Sequence, residues 1–253
     1  MNLEIRAGTF AYGHTTILHH LSFSLTSGEI LAVLGPNGIG KTTLLKCLAG
    51  IYPWQAGGTY LDGKLLAKNP CFISYVPQAH GLSFPYTVQE LVMMGRARHI
   101  GMFSIPQKKD FQAVENALRV VGIAKLAARQ ITTLSGGQLQ MAFIAQALAG
   151  EPKILVLDEP ESHLDFRNQS ILLKLIVHLA KEQEIACMMN THYPDHALRI
   201  ADKALLFYPN GKYSFGKAQD VITEKNLATS FGIEAKLLSF VHQGKNYPAF
   251  VAM

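Results

Sequence analysis

Residues 29–34 form an apolar strand pattern that runs into Gly35-Pro36-Asn37-Gly38-Ile39-Gly40-Lys41-Thr42, and residues 42–48 then read as a helix. No other stretch constrains the fold so tightly. The eight residues satisfy G-x-x-x-x-G-K-[ST] at every fixed position. Glycines let the backbone wrap closely around phosphate oxygens, and successive N–H groups at a helix N-terminus supply partial positive charge. The pattern predicts a nucleoside-triphosphate site. In it Lys41 reaches the β- and γ-phosphates, Thr42 ligates Mg²⁺, and Gly35, Pro36, Asn37, Gly38, Gly40 and Thr43 line the cradle. A chance glycine-rich turn would lack the strand before it and the helix after it.

The rest of the chain repeats that alternation. Residues 153–157 are a short apolar run, as expected for a strand buried on both faces, and 185–190 look similar. Leu172, Leu175, Ile176 and Leu179 recur at helical spacing, which predicts an amphipathic helix over 166–182. Phe111, Val114, Leu118 and Val121 do the same, with Gly122 placed to end the helix. Residues 205–208 and 212–215 flank Asn210-Gly211, a hairpin signal. Strands alternating with helices predict an α/β fold with a largely parallel sheet.

A length of 253 residues suits one large domain with subdomains, and 49% apolar against 16% charged residues excludes a disordered chain. No stretch of about 20 apolar residues predicts a membrane span. Residues 1–10 carry Glu4 and Arg6 and lack the apolar core of a secretory signal. Cys47, Cys71 and Cys187 are far apart and suggest buried apolar residues rather than a disulfide or zinc framework. The formal charge of +5 suits phosphates, nucleic acid or an anionic membrane face, but no run of like charge marks a nucleic-acid tail. Dispersed charge of this kind does not choose among them, and no nucleic-acid partner is among those expected.

Two further motifs bear chemistry. Ile154-Leu155-Val156-Leu157-Asp158-Glu159 puts an acid at the C-terminal end of a buried strand, where open α/β sheets bind ligands. Asp158 is placed to hold Mg²⁺ through its hydration shell, and Glu159 to polarise an attacking water. An acidic helix cap is the bland alternative, weakened by the upstream loop. Leu134-Ser135-Gly136-Gly137-Gln138 precedes an apolar helical segment over 138–148. Its glycine N–H groups at an exposed helix start form a second anion site, suited to a partner's nucleotide.

With LSGGQ the whole chain resembles the ATP-binding-cassette (ABC) ATPases. The matching order is Tyr12, the glycine-rich loop, Gln78 in Tyr75-Val76-Pro77-Gln78, LSGGQ, the acidic strand end, Ser162-His163-Leu164-Asp165, and Thr191-His192. The resemblance implies a P-loop NTPase (RecA-like) core with an antiparallel β subdomain and an inserted α-helical subdomain. Its divisions would be 1–78 and 151–220 for the core with the β subdomain, 79–150 for the helical subdomain and 221–253 for a C-terminal extension. It implies a head-to-tail homodimer sandwiching two ATP, each held by one subunit's glycine-rich loop and the other's Ser135, Gly136, Gly137 and Gln138. Tyr12 would stack on adenine, Gln78 would contact Mg²⁺ or the attacking water, Glu159 would activate that water, and His192 would contact the γ-phosphate.

Some positions depart from the family pattern. Tyr193-Pro194 follows His192 where aspartate is frequent, His163 stands where alanine is common, and Leu139 and Met141 replace polar or basic residues. His192 and His196 are spaced like a metal pair, but Pro194 between them argues against one regular helix, and no HExxH glutamate is present.

The short segment between Gln78 and Ser135 argues against the DNA-repair cassettes with their coiled-coil insertion. Residues 87–99 and 222–233 resemble segments of the ATPases of bacterial metal-chelate importers, which serve iron-siderophore, haem, cobalamin or molybdate uptake. Their partners would be two integral-membrane permease subunits and, indirectly, a periplasmic binding protein, with this chain peripheral on the cytoplasmic face of the inner membrane. A soluble ATPase for iron–sulfur cluster assembly and a lipid-extrusion motor are the alternatives. Phe84, Tyr86, Val88, Met93 and Met94 are expected to include permease contacts.

Overall fold

The computed structural model describes residues 1–66, 72–78, 84–101, 104–162, 164–242 and 244–253. Cys71 and His163 lie outside the described residues. The chain begins with β1 (Asn2–Tyr12) and β2 (Thr15–Thr26), followed by β3 (Ile30–Leu34) and α1 (Lys41–Leu48). Next come β4 (Ala56–Leu61), β5 (Lys64–Leu65) and β6 (Ile73–Val76). Three helices follow: α2 (Val88–Met94), α3 (Lys108–Val121) and α4 (Gly136–Ala149). The chain then returns through β7 (Ile154–Asp158), α5 (Phe166–Lys181), β8 (Ala186–Asn190), α6 (Pro194–Ile200), β9 (Lys203–Phe207) and β10 (Tyr213–Lys217). It closes with α7 (Ala218–Val221), α8 (Glu224–Phe231), β11 (Ala235–His242) and β12 (Lys245–Ala252).

The central sheet has the order β10-β9-β3-β8-β7-β6. All its neighbours run parallel except β10, which returns antiparallel beside β9. Side chains of β7 alternate between two cores. Leu155 and Leu157 join α2–α5, whereas Ile154 and Val156 join α1 and the strands β1 and β2. Both faces are covered, which is why β3, β7 and β8 read as unbroken apolar runs. The second sheet, β2-β1-β4-β5, is antiparallel throughout. A third core joins Ala32, Leu34, Ala204 and Leu206 to Ala197, Val221, Leu227 and Ala235. It seats the C-terminal helices on the sheet.

The expected helix over 166–182 is α5, and Asp165 caps its N-terminus by accepting the Asn168 N–H. Gly122 ends α3 with φ 81°, a left-handed cap open to glycine without strain. The hairpin between β9 and β10 turns at Pro209-Asn210-Gly211, with the Tyr208 N–H donating to the Lys212 carbonyl. Three expectations need correction. Phe111, in the first turn of α3, is 48% exposed and stays outside the buried core that Val114, Leu118 and Val121 enter from the same face of the helix. Val88 is fully buried in that core, so it offers nothing to a partner. The helix after Ser135 starts at Gly136 rather than Gln138. Pro194 occupies the first turn of α6, so His196 is helical and His192 is not. No group of three or more histidine, cysteine, aspartate or glutamate side chains placed to hold a metal occurs among the described residues.

Two interior contacts fix the inserted helices. A β-carbon on Gly95 would lie 1.9 Å from the Gln146 carbonyl oxygen, so only glycine permits that approach of α2 to α4. Buried Arg96 donates to Asp110 on α3 at 3.0 Å and to the Ala149 carbonyl at the end of α4 at 2.7 Å.

Candidate active site

The loop between β3 and α1 has its glycines in left-handed backbone: Gly35 at φ 144°, Gly38 at 76° and Gly40 at 108°. A β-carbon on Gly40 would sit 2.6 Å from Ile17 Cγ2, so the cradle demands glycine for space as well as for torsion. Gly40 caps α1 without a side-chain hydrogen bond, and the first turn of α1 carries no acid. Among the described residues no side-chain cap occupies the N–H groups of that turn, which is the arrangement that favours an anion. Asn37 and Gly38 are exposed at the mouth.

Lys41 is only 5% exposed, and its ammonium donates to the Gly35 and Pro36 carbonyls at 2.7 and 2.9 Å. Burial pulls its pKa below the ordinary lysine value, against the opposing pull of Glu159 and Asp158. A cation held this way, beside carboxylates and at an uncapped helix start, suits a polyanionic phosphate.

Asp158 ends β7 and is 5% exposed. Its Oδ1 accepts the Thr42 hydroxyl at 3.0 Å and the Asn190 amide at 2.9 Å, and its Oδ2 accepts the Tyr75 hydroxyl at 2.8 Å. Asn190 is opposite Asp158 in the parallel register of β8 with β7, and Tyr75 lies on β6 at the other side. Burial, and then the neighbouring Asp158 carboxylate, hold the Tyr75 phenol far above its ordinary pKa, so it stays a donor. Sequence reading missed Asn190 and Tyr75. Their only sequence signal was position at the ends of the strands flanking β7.

Glu159 follows in left-handed backbone at φ 46°, an uncommon conformation for a residue with a side chain. Its Oε1 is 2.8 Å from His192 Nε2, and its Oε2 accepts the Ser162 hydroxyl at 3.1 Å and the Gln78 amide at 3.4 Å. Burial raises its pKa, but hydrogen bonding and charge from His192, the Ser162 hydroxyl and the Lys41 charge outweigh it and hold the carboxyl below its usual value. Glu159, His192, Gln78, Asp158, Lys41 and Thr42 therefore share one site at the C-terminal end of the sheet. Hard oxygen donors on Asp158 and Thr42, side by side beneath the phosphate cradle, fit a Mg²⁺ ion.

Tyr12 ends β1 next to this cradle. It meets Phe10 edge-on at 4.9 Å and Tyr52 at 5.8 Å, and its ring remains 49% exposed. Hydrogen bonding with Tyr52 raises its pKa first, burial adds to this, and Thr43 on α1 opposes it. The aromatic face is thus fixed beside Thr43 and accessible.

Ser135 lies elsewhere, at the N-terminus of α4. Its hydroxyl accepts the Gln138 N–H at 3.3 Å, and Gln138 Oε1 accepts the Ser135 N–H at 3.2 Å. Ser135 and Gly136 are exposed, whereas Gly137 is buried against Asn168 of α5, whose side chain a β-carbon would crowd at 3.0 Å.

The family model described as ABC transporter matches residues 18–162. The chain is 39% identical over 224 residues to the molybdate import ATP-binding protein MolC of Haemophilus influenzae, covering 88% of this chain and 85% of that protein. It is 35% identical over 237 residues to the iron(3+)-hydroxamate import ATP-binding protein FhuC of Bacillus subtilis, covering 90% and 87%. Among solved structures it resembles a chain from one described as an inward-facing conformation of a metal-chelate type ABC transporter. There the TM-score is 0.90 and the identity 36%, with 99% of this chain and 97% of that one covered. The α/β fold with its inserted helices and the motif order agree with these matches. The chain belongs to the ABC transporter family and is an ATP-binding, ATP-hydrolysing member of it.

Proposed function

We propose that this chain is the motor subunit of a bacterial importer for a metal chelate or a metal oxyanion. Two copies would close around two ATP molecules, with Ser135–Gln138 of each copy completing the site of the other. The observation that carries the hydrolytic role is the grip on Glu159: a carboxylate one residue beyond Asp158, held by His192, Ser162 and Gln78 and facing Lys41. The importer assignment is supported by the molybdate and iron-hydroxamate relatives and by the metal-chelate type structure.

In this reading Lys41 leaves the Gly35 and Pro36 carbonyls for the β- and γ-phosphates, while the N–H groups of the first turn of α1 bind the same oxygens. Tyr12 stacks on the base. Thr42 and Asp158, together with Gln78, would hold Mg²⁺, which would supply charge stabilisation for the phosphates. Glu159 orients the attacking water and accepts its proton. Its depressed pKa makes it a weak base while His192 and Lys41 are its neighbours. The γ-phosphate charge opposes ionisation of Glu159, and so strengthens it as a base when ATP is bound. His192 steadies Glu159 and reaches the γ-phosphate.

The divisions 1–78 with 151–220, 79–150 and 221–253 are proposed as the units that shift against one another during the cycle. Permease contact is proposed on the inserted helices. Tyr86, Met93, Met94, Ala97 and Ile100 line a groove of about 550 Å³, and Phe84 projects beside Tyr86. Adaptable methionine and aromatic side chains suit a docking helix. No helix among the described residues is long and apolar enough to cross a membrane, so the peripheral cytoplasmic placement proposed here requires those membrane subunits.

Co-purification of the tagged chain from membranes tests this reading. Recovery with a multi-span permease, and loss of that permease when Met94 and Tyr86 are replaced by aspartate, is the expected result. Recovery with a soluble iron–sulfur scaffold, or with no membrane protein, would overturn it.

A further inference from the structure

The segment that follows Glu159 and the segment that carries His192 are joined twice. The first joint is the contact between those two residues. The second lies behind it and uses Glu161, whose side chain is 1% exposed. Glu161 Oε1 accepts the hydroxyl of Thr191, the residue before His192. Thr191 is completely buried, and its hydroxyl oxygen in turn accepts the Tyr193 N–H at 3.0 Å. Its own backbone N–H donates to the Val33 carbonyl on β3 at 3.1 Å. At the other end, the Glu161 carbonyl oxygen accepts the Leu164 N–H at 3.3 Å and the Gln169 amide of α5 at 3.5 Å. The remaining carboxylate oxygen, Oε2, faces His196 Nδ1 at 3.6 Å, and neither has a hydrogen-bond partner among the described residues.

A carboxylate buried this deeply opposes folding unless it is paired, so packing alone is poorly served by glutamate here. What the carboxylate does is hold the backbone on both sides of His192, through one hydroxyl that donates to Glu161 and accepts from Tyr193. We infer that Glu161 is a positioning residue for ATP hydrolysis: through Thr191 it keeps the His192 ring in register with Glu159. The inference rests on the proposed roles of Glu159 and His192. Among the described residues no hydrogen bond or ion pair joins Glu161 to the phosphate cradle or to Asp158, so its loss should change the chemical step and spare nucleotide binding.

Phosphate release, ATP affinity and thermal melting are measured for Glu161→Ala, Glu161→Gln, Thr191→Val and Thr191→Ser. Glu161→Ala and Thr191→Val are also combined with His192→Ala. Glu161→Ala and Thr191→Val should lower kcat on the order of 10²-fold, the scale of an ångström-sized misplacement, with KM little changed. Thr191→Ser keeps the hydroxyl and should retain turnover, and Glu161→Gln keeps the acceptor and should retain much of it. In the His192→Ala background neither Glu161→Ala nor Thr191→Val should cost anything further, because both act through a ring that is already gone. Additive losses in that background would overturn the inference, as would normal kcat in folded Thr191→Val. Should Glu161→Ala fail to fold, Thr191→Val carries the test alone. Normal hydrolysis by His192→Ala would instead remove the reading of the site on which the inference stands.

Discussion

Two glycine-flanked helix starts in this molecule look alike in sequence and differ in structure. At α1, Gly40 leaves the first turn without a side-chain cap, and Lys41, Asp158 and Glu159 crowd the space in front of it. At α4, Ser135 and Gln138 cap each other reciprocally, and the surface before them is open. The first brings a buried cation and two carboxylates together within one chain. The second has spent part of its hydrogen bonding on its own helix, with Ser135 and Gln138 satisfying each other's backbone N–H groups. In the proposed reading that start is half of a shared site, and a second copy brings the ligand to it.

The largest effect should come from the charged site. Glu159→Gln keeps the shape but removes the base, and should slow phosphate release by about 10²–10⁴-fold while Mg-ATP still binds. The same variant relieves repulsion between carboxylate and γ-phosphate, so size-exclusion chromatography with ATP should show a stable dimer. Slow hydrolysis with a persistent monomer would break the idea that the α4 start is half of a shared site.

Lys41→Ala should weaken ATP binding strongly, since a charge-assisted contact to the phosphates is lost. Equilibrium binding of a fluorescent ATP analogue checks this, and unchanged affinity would mean that the α1 cradle is not the phosphate site.

Tyr12→Ala should weaken ATP and GTP by similar factors, because stacking is worth about 1–3 kcal/mol per base and ignores exocyclic groups. Competition binding that shows strong rejection of GTP by the unaltered protein would point to base-reading hydrogen bonds elsewhere.

The smallest effect on the single chain belongs to the self-capped start, where the loss falls on assembly. Ser135→Ala should cost about 1 kcal/mol of stability through loss of the cap, leave ATP affinity of the single chain unchanged, and abolish ATP-driven dimerisation and turnover. A loss of stability alone, with normal turnover, would reduce Ser135 to a helix cap.

Acidity separates the two starts further. Glu159 is held below the usual carboxylate value, so its ionised form and its bonds to His192 and Ser162 persist above that range and are lost only as pH falls through its depressed pKa. In the nucleotide-free protein this contribution to stability is therefore present at neutral pH, and it should disappear in melting curves only at strongly acidic pH. In Glu159→Gln that component should be absent.

Much of this was legible from residues alone. The glycine-rich loop, the acid at the end of 153–157 and the serine–glycine helix start are short-range patterns whose chemistry needs those residues at that spacing. Continuous apolar runs marked β3, β7 and β8 because strands covered on both faces have no polar side to show. The hairpin at Asn210-Gly211 and the stop at Gly122 were local backbone demands. What local pattern could not decide was which distant segments meet. The order β6-β7-β8-β3 sets Tyr75 and Asn190 on either side of Asp158 and brings Gln78, Ser162 and His192 onto Glu159. Periodicity put Phe111 inside, and the apolar stretch after the Gln78 loop offered Val88 to a partner. Packing reversed both: Phe111 lies in the first turn of α3 outside the buried core, and Val88 is buried within it beside residues of α3 and α4. Neighbouring residues carry their chemistry with them in sequence, whereas a carboxylate's partners and a helix's buried face are properties of the closed sheet and its packed helices.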